Sequence, residues 1–266
     1  MGVVNVTPDS FSDRGRRQGL DDHLAHAGRM IAEGADILDV GGESTRPGAT
    51  PVCEAEELAR VIPVVEALAA RSRIPISIDT SKSAVAKAAV GAGARLWNDV
   101  SGLSGDEDSL AVAAELGCDV VLMHMRGRPV NMQRAPRYDD VVAEVAAWLA
   151  ARASAAIAGG IAPQRIWLDP GLGFGKTLRH NLALLAALEK IVALGFPVLA
   201  GASRKGMIRA IDPSADDPLD RLGGSLAIAL AAARAGCGMV RVHDVRETVQ
   251  ALKVMDAIDA ARPPDV

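Results

Sequence analysis

The polar residues of this chain that could do chemistry sit at the ends of short apolar runs. Asn5 closes one run and Asp79 another. Asn98 and Asp99, His124, Asp169, the triplet Ser203-Arg204-Lys205, and Arg241 with His243 close others, and one run leads into Gly41-Gly42-Glu43-Ser44-Thr45-Arg46-Pro47-Gly48. Asp79, Asn98, Asp169 and Lys205 combine acceptors with donors. Carboxylates in a dry pocket suit a flat heterocycle with a guanidine-like edge, which meets them as a fork, much as arginine does. Arg241 and His243 lie two apart, so on a strand they share a face and read as a site for phosphate or pyrophosphate. Each residue also has a plainer reading. Asp79 before Thr80 and Ser81 could cap a helix. His243 could be a core histidine with one nitrogen satisfied. His124, between Met123 and Met125, is either inner wall or ligand contact.

Other motifs fail on inspection. Gly171-Leu172-Gly173-Phe174-Gly175-Lys176-Thr177 looks like a phosphate-binding loop, but Pro170 stands where the pattern needs glycine. It reads instead as a glycine-rich turn with Lys176 at the surface. The histidines show no zinc-ligand spacing. There is no GxSxG elbow, and the sequence offers Ser203 no evident His–Asp partner.

The elements that must position these residues alternate strictly. Strands are expected at Gly2–Val6, Ile37–Val40, Pro75–Ile78, Arg95–Asn98, Val120–Met123, Ile166–Leu168, Val198–Ala200 and Val240–Val242, each short and apolar as a strand buried on both faces should be. Helices are expected at Asp21–Glu33, Glu54–Ala70, Ser83–Ala92, Ser109–Leu116, Tyr138–Ile157, Leu178–Leu194, Leu222–Ala235 and Val245–Ala260, with apolar residues three and four apart. Eight βα units in 266 residues fit a single-domain (β/α)8 TIM barrel of the α/β class. An open doubly wound sheet is the rival, but its glycine-rich first turn is missing. In a barrel every strand-end residue named above meets at one rim, where such folds keep their sites.

Composition narrows the function classes. Hydrophobic residues make up 49%, charged residues 23% and aromatic residues 3% of the chain, with a net charge of −4. This is a globular composition, and it argues against a general nucleic-acid or anionic-membrane binder. No unbroken apolar run is long enough for a membrane span. Cys53, Cys118 and Cys237 are too scattered for a disulfide framework and read as small core residues. With no signal-peptide pattern at the N-terminus, a cytoplasmic location is expected.

Seven segments resemble one family in their order. "MGVVNVTPDSFSD" at Met1–Asp13, "DVGGESTRPGA" at Asp39–Ala49, "SIDT" at Ser77–Thr80, "NDVSG" at Asn98–Gly102, "LDPGLGFGK" at Leu168–Lys176, "GASRK" at Gly201–Lys205 and "RVHDV" at Arg241–Val245 are similar to dihydropteroate synthases. That family joins 6-hydroxymethyl-7,8-dihydropterin diphosphate to p-aminobenzoate with release of pyrophosphate, on a TIM barrel, usually as a homodimer with Mg²⁺. The resemblance implies a metal ligand at Asn5. It implies pterin contacts at Asp79, Asn98, Asp169 and Lys205, and diphosphate contacts at Thr45, Arg241 and His243. It implies p-aminobenzoate contacts at Thr45, Arg46, Pro47, Phe174, Ser203 and Lys205, with Phe11 and Asp13 on a first mobile loop. Asp13, Lys205 and Arg46 carry the catalytic roles in this reading. Two other readings remain open here: a related barrel that moves a methyl group from methyltetrahydrofolate to a corrinoid protein, and an inactive pterin-binding paralogue.

Overall fold

The computed structural model describes residues 1–7 and 19–261. Eight parallel strands alternate with helices. The strands are β1 (Gly2–Asn5), β2 (Leu38–Gly41), β3 (Ile76–Asp79), β4 (Leu96–Asp99), β5 (Asp119–Met123), β6 (Ile166–Asp169), β7 (Leu199–Ala200) and β8 (Met239–Val240). The first six pair in order, and β7 pairs with β8. Single parallel bridges, Leu168 to Val198 and Gly2 to Val242, join the two sets at both seams, so the sheet closes on itself as a barrel. The register runs Asn5 beside Gly41, Gly41 beside Asp79 and Asp79 beside Asn98, which levels the strand ends at one rim.

Side-chain alternation splits the core in two. One face of the strands, with Val4, Val40, Ile78, Trp97, Leu122 and Leu168, packs outward on the helices. Met1, Leu96, Val121 and Leu199 form a separate inner cluster, flanked by Ile37, Trp167 and Met239. Two residues further along their strands, those last inward positions become polar: Asp39, Asn98, Asp169 and Arg241. The barrel has an apolar floor and a polar mouth.

The helices are α1 (Leu20–Ala32), α2 (Glu54–Arg71), α3 (Ser83–Gly91), α4 (Ser109–Leu116), α5 (Val141–Ala158), α6 (Leu178–Ala186), α7 (Leu188–Val192), α8 (Gly206–Ile211), α9 (Leu222–Arg234) and α10 (Val245–Ala260). The expected helix over 178–194 is broken at Ala187, whose φ of −130° and ψ of 28° are not helical. α8 has no counterpart among the expected helices; it is a short helix immediately after the Ser203-Arg204-Lys205 turn. α5 is long and apolar enough to cross a membrane by length and composition. Here Val145, Leu149, Ala153 and Ala156 bury against the barrel, while Glu144 and Arg152 interrupt the apolar run. Cys118 is buried and Cys237 half-buried, but Cys53 is exposed before α2, contrary to its reading as a core residue.

Candidate active site

Arg241 sits at the centre of the mouth. It leaves β8 in the next inward position after Met239 and reaches across the barrel to two carboxylates. Its Nε donates to Asp39 Oδ2 at 2.5 Å and its Nη2 to Asp79 Oδ2 at 2.8 Å. Asp39 Oδ2 also accepts from Asn98 Nδ2 at 3.1 Å. Burial opposes the arginine's charge, but the two aspartates more than offset this and push its pKa up. Asp79 shifts the other way from an ordinary carboxyl. Burial, reinforced by Asp39 and Glu57, outweighs Arg241 and raises its pKa to about 7. Asp39 Oδ1, Asp79 Oδ1 and Ser77 Oγ are buried and take no hydrogen bond from any described residue, so the mouth carries acceptors that a ligand's N–H groups can satisfy. The capping reading of Asp79 fails: Asp106 binds the Ser83 backbone N–H at the start of α3, and Asp79 binds Arg241.

Asp169 and Lys205 form the second part. Asp169 Oδ1 accepts from the Gly171 backbone N–H at 2.7 Å, which starts the turn after β6. Burial raises its pKa, with the nearby Lys205 charge opposing. Lys205 donates to the Leu172 carbonyl, and its ammonium lies 4.4 Å from the centre of the Phe174 ring. Burial lowers the Lys205 pKa to about 8 despite Asp169. The lysine therefore links the buried acceptors of the mouth to the aromatic wall supplied by Phe174.

Ser203 and His243 form a pair that the sequence does not reveal. The Ser203 hydroxyl lies 3.0 Å from His243 Nδ1 and also accepts the His243 backbone N–H at 3.2 Å. Burial, then Arg241, holds His243 neutral with a pKa near 3. Between Ser203 and Lys205, Arg204 takes a left-handed φ of 57°, and its guanidinium forks onto Asp244. That inversion turns Arg204 away and leaves its two neighbours toward the mouth.

The second loop, after β2, brings Thr45, Arg46 and Pro47 to the rim. Thr45 is half-buried; Arg46 and Pro47 are exposed. The Arg46 charge reaches His243, where it helps lower the histidine's pKa. The loop's base is held from below: Lys82 donates to Glu43 on the loop and to the fully buried Glu57 of α2, and Arg60 donates to the Gly42 carbonyl at 2.7 Å. Its far end is tied by the Gly48 N–H to the Pro129 carbonyl at 3.1 Å. Asn5 ends β1 beside Gly41. Phe11 and Asp13 lie outside the described residues.

Lys176 is the clearest correction to the sequence reading. It is 2% exposed rather than at the surface. Its ammonium meets the carbonyls of His124, Gly171 and Phe174 at 3.2, 3.0 and 3.1 Å and His124 Nδ1 at 2.9 Å. The His124 ring packs edge to face on Trp148 of α5, 5.1 Å between centres, so it faces the helix layer and not the inner wall. Gly171 and Gly175 have φ of 67° and 61°, and a Cβ at either would collide with the carbonyl of His124 or Arg126. The glycine-rich turn exists so that two loop backbones can touch, and not to cradle phosphate. Asp39 is the other residue that sequence reasoning misses; a lone aspartate inside the apolar run Ile37–Val40 is the available signal.

Comparison with known proteins points to one family. A family described as pterin binding enzymes matches residues 1–243. The chain is 50% identical over 262 residues to the dihydropteroate synthase of Escherichia coli K12, covering 98% of this chain and 92% of that one. The Xanthomonas albilineans dihydropteroate synthase structure with 4-aminobenzoic acid superposes with a TM-score of 0.92 at 50% identity, covering 98% and 93% of the two chains. The same enzyme in complex with 7,8-dihydropteroate gives a TM-score of 0.89 at 47% identity, again covering 98% and 93%. The chain therefore belongs to the pterin-binding dihydropteroate synthase family.

Proposed function

We propose how the residues of this mouth divide the labour of that family's reaction. The chain is a transferase that joins 6-hydroxymethyl-7,8-dihydropterin diphosphate to p-aminobenzoate, releasing pyrophosphate, in folate biosynthesis. The carrying observation is the Arg241 bridge between Asp39 and Asp79, with a buried Asp79 oxygen left over to accept a ligand N–H. Asp79, Asn98, Asp169 and Lys205 hold the pterin. Arg241, His243 and Thr45 take the diphosphate, and Arg46, Pro47, Phe174, Ser203 and Lys205 line the p-aminobenzoate side.

The site's fit to Mg²⁺ is limited but coherent. Among the described residues no three His, Cys, Asp or Glu side chains gather as a metal site. Asn5 offers one neutral oxygen, which suits an ion whose other ligands are diphosphate oxygens and water. When bound, Mg²⁺ supplies positive charge against the departing pyrophosphate. The chain's own residues do the rest. Arg241 stabilises the leaving group as the C–O bond breaks and its electron pair departs with pyrophosphate. Positive charge develops on the exocyclic carbon of the pterin, and Asp13 is assigned to stabilise it. The p-aminobenzoate nitrogen, oriented by Arg46 and the Phe174 wall, forms the new C–N bond and gives up one proton.

We also read the chain as a cytoplasmic homodimer. Val254 and Ile258, one helical turn apart on α10 and 54% and 55% exposed, support self-association. The test of function is a pyrophosphate-release assay. Release should require both the pterin diphosphate and p-aminobenzoate. A chain that binds pterin without releasing pyrophosphate would be the inactive paralogue, and methyl transfer to a corrinoid would mark the other reading.

A further inference from the structure

Asp39 is fully enclosed at the middle of β2, one inward layer below the rim. Its Oδ2 is approached from two strands, by Arg241 Nε of the β8 end and by Asn98 Nδ2 of β4. The division of labour above gives it no role. We propose that Asp39 is the positioning residue of the pterin diphosphate site: one carboxylate that fixes how both Arg241 and Asn98 face the ligand. The proposal rests on the functional reading already given.

The two carboxylates that hold Arg241 differ in what else they can do. Asp79 lies at the rim, and its spare oxygen is the one a ligand can use. Asp39 lies deeper and keeps Nε whatever Asp79 does. Nη1 of Arg241 makes no hydrogen bond with the described residues, so it is the edge left for an anion. Without the charge on Asp39, the guanidinium would settle wholly on Asp79 and cover the acceptor that the pterin needs.

Asn98 is oriented by a different route. An amide can turn either end toward a ligand, but a carboxylate only accepts. Asp39 therefore draws Nδ2 inward and leaves Oδ1 for the ligand. Oδ1 takes no hydrogen bond from any described residue. Asn98 becomes an acceptor, and the site selects a ring that presents N–H over one that presents a bare nitrogen.

Asp39→Asn keeps the size and removes the charge. Calorimetry with two probes separates the effects: 6-hydroxymethyl-7,8-dihydropterin for the ring side, and pyrophosphate with Mg²⁺ for the anion side. Both affinities should fall about 10- to 100-fold, the range for a lost hydrogen bond to a charged group. The KM for p-aminobenzoate should move less than about twofold, as for an uncoupled position. In an Asn98→Ala background the same change should cost the ring probe clearly less than it does in the wild type, because only the route through Arg241 and Asp79 remains. A purely structural role would lower the melting temperature and leave both affinities intact, which overturns the proposal. So does a loss confined to one probe, or additive losses in the double variant. Should Asp39→Asn fail to fold, the wild type decides by NMR. The Arg241 Nε–H should stay protected when the dihydropterin binds, and its release on binding overturns the proposal. The functional reading is tested separately, since it fails if the wild type itself releases no pyrophosphate.

Discussion

The Lys176 ammonium lies 2.9 Å from Nδ1 of His124, and both side chains are closed off from solvent. Burial first, then the Lys176 charge, lowers the His124 pKa to about 3. Burial likewise lowers that of Lys176, to about 7. The histidine is therefore neutral when folded and takes up a proton on unfolding between pH 3 and 6.5. That contribution to stability is complete above pH 6.5 and is lost as pH falls through the window. Asp79, raised to about 7, acts with the opposite sign over part of the same range, so a variant comparison is needed. His124→Asn keeps an acceptor for Lys176 without the titration. From denaturant midpoints at a series of pH values, the stability of the wild type relative to this variant should rise as pH rises from 3 to 6.5.

Asp169→Asn retains an oxygen for the Gly171 N–H but removes the charge beside Lys205. Pterin affinity should weaken by about 2 kcal/mol, since a hydrogen bond to a charged group is lost in a buried site. Calorimetry with the dihydropterin measures it, and unchanged affinity removes Asp169 from the pterin site.

Arg46→Ala should raise the KM for p-aminobenzoate far more than that for the pterin diphosphate, because Arg46 sits on the exposed second loop. Lys82→Met should show the same bias more weakly. It touches no ligand, but it frees Glu43 from its tie to Glu57 at the loop's base. Equal changes in both KM values would assign the loop a folding role.

Mg²⁺ should tighten pyrophosphate binding in the wild type, and Asn5→Ala should abolish most of that coupling. A single amide oxygen holds the ion poorly by itself, so the free protein should bind Mg²⁺ weakly. Pyrophosphate titrations with and without Mg²⁺ measure both effects, and an unaltered coupling in Asn5→Ala removes Asn5 from the metal site.

The strand ends are legible in the sequence because parallel strands buried on both faces leave a short apolar run that stops at the rim. Asp79, Asn98, Asp169 and Arg241 all obey that rule, and all four reach the mouth. Lys176 breaks the expectation that lysine is exposed, because three backbone carbonyls and an imidazole nitrogen converge on it. Such convergence depends on two loops meeting in space, which periodicity cannot show. Asp39 is hidden for a similar reason. It lies inside its apolar run rather than at the end, and only the partners from β4 and β8 give it a purpose. The Ser203–His243 pair joins residues 40 apart, and only barrel closure places them together.

The closure of the barrel is uneven. β1 to β6 are held by continuous ladders, whereas β7 and β8 join their neighbours through single bridges at Leu168–Val198 and Gly2–Val242. Arg241 and His243 ride on the thin side, and Asn5 lies across the seam on β1. Backbone amides of β7 and β8 should therefore exchange with solvent faster than those of β2 to β5, as the least-bonded part of a fold opens at the lowest free energy. Bound pyrophosphate, held from both sides of that seam, should slow exchange there more than anywhere else. Product release and the opening of these two staves would then be one equilibrium, and the weakest edge of the scaffold would set how long the leaving group stays.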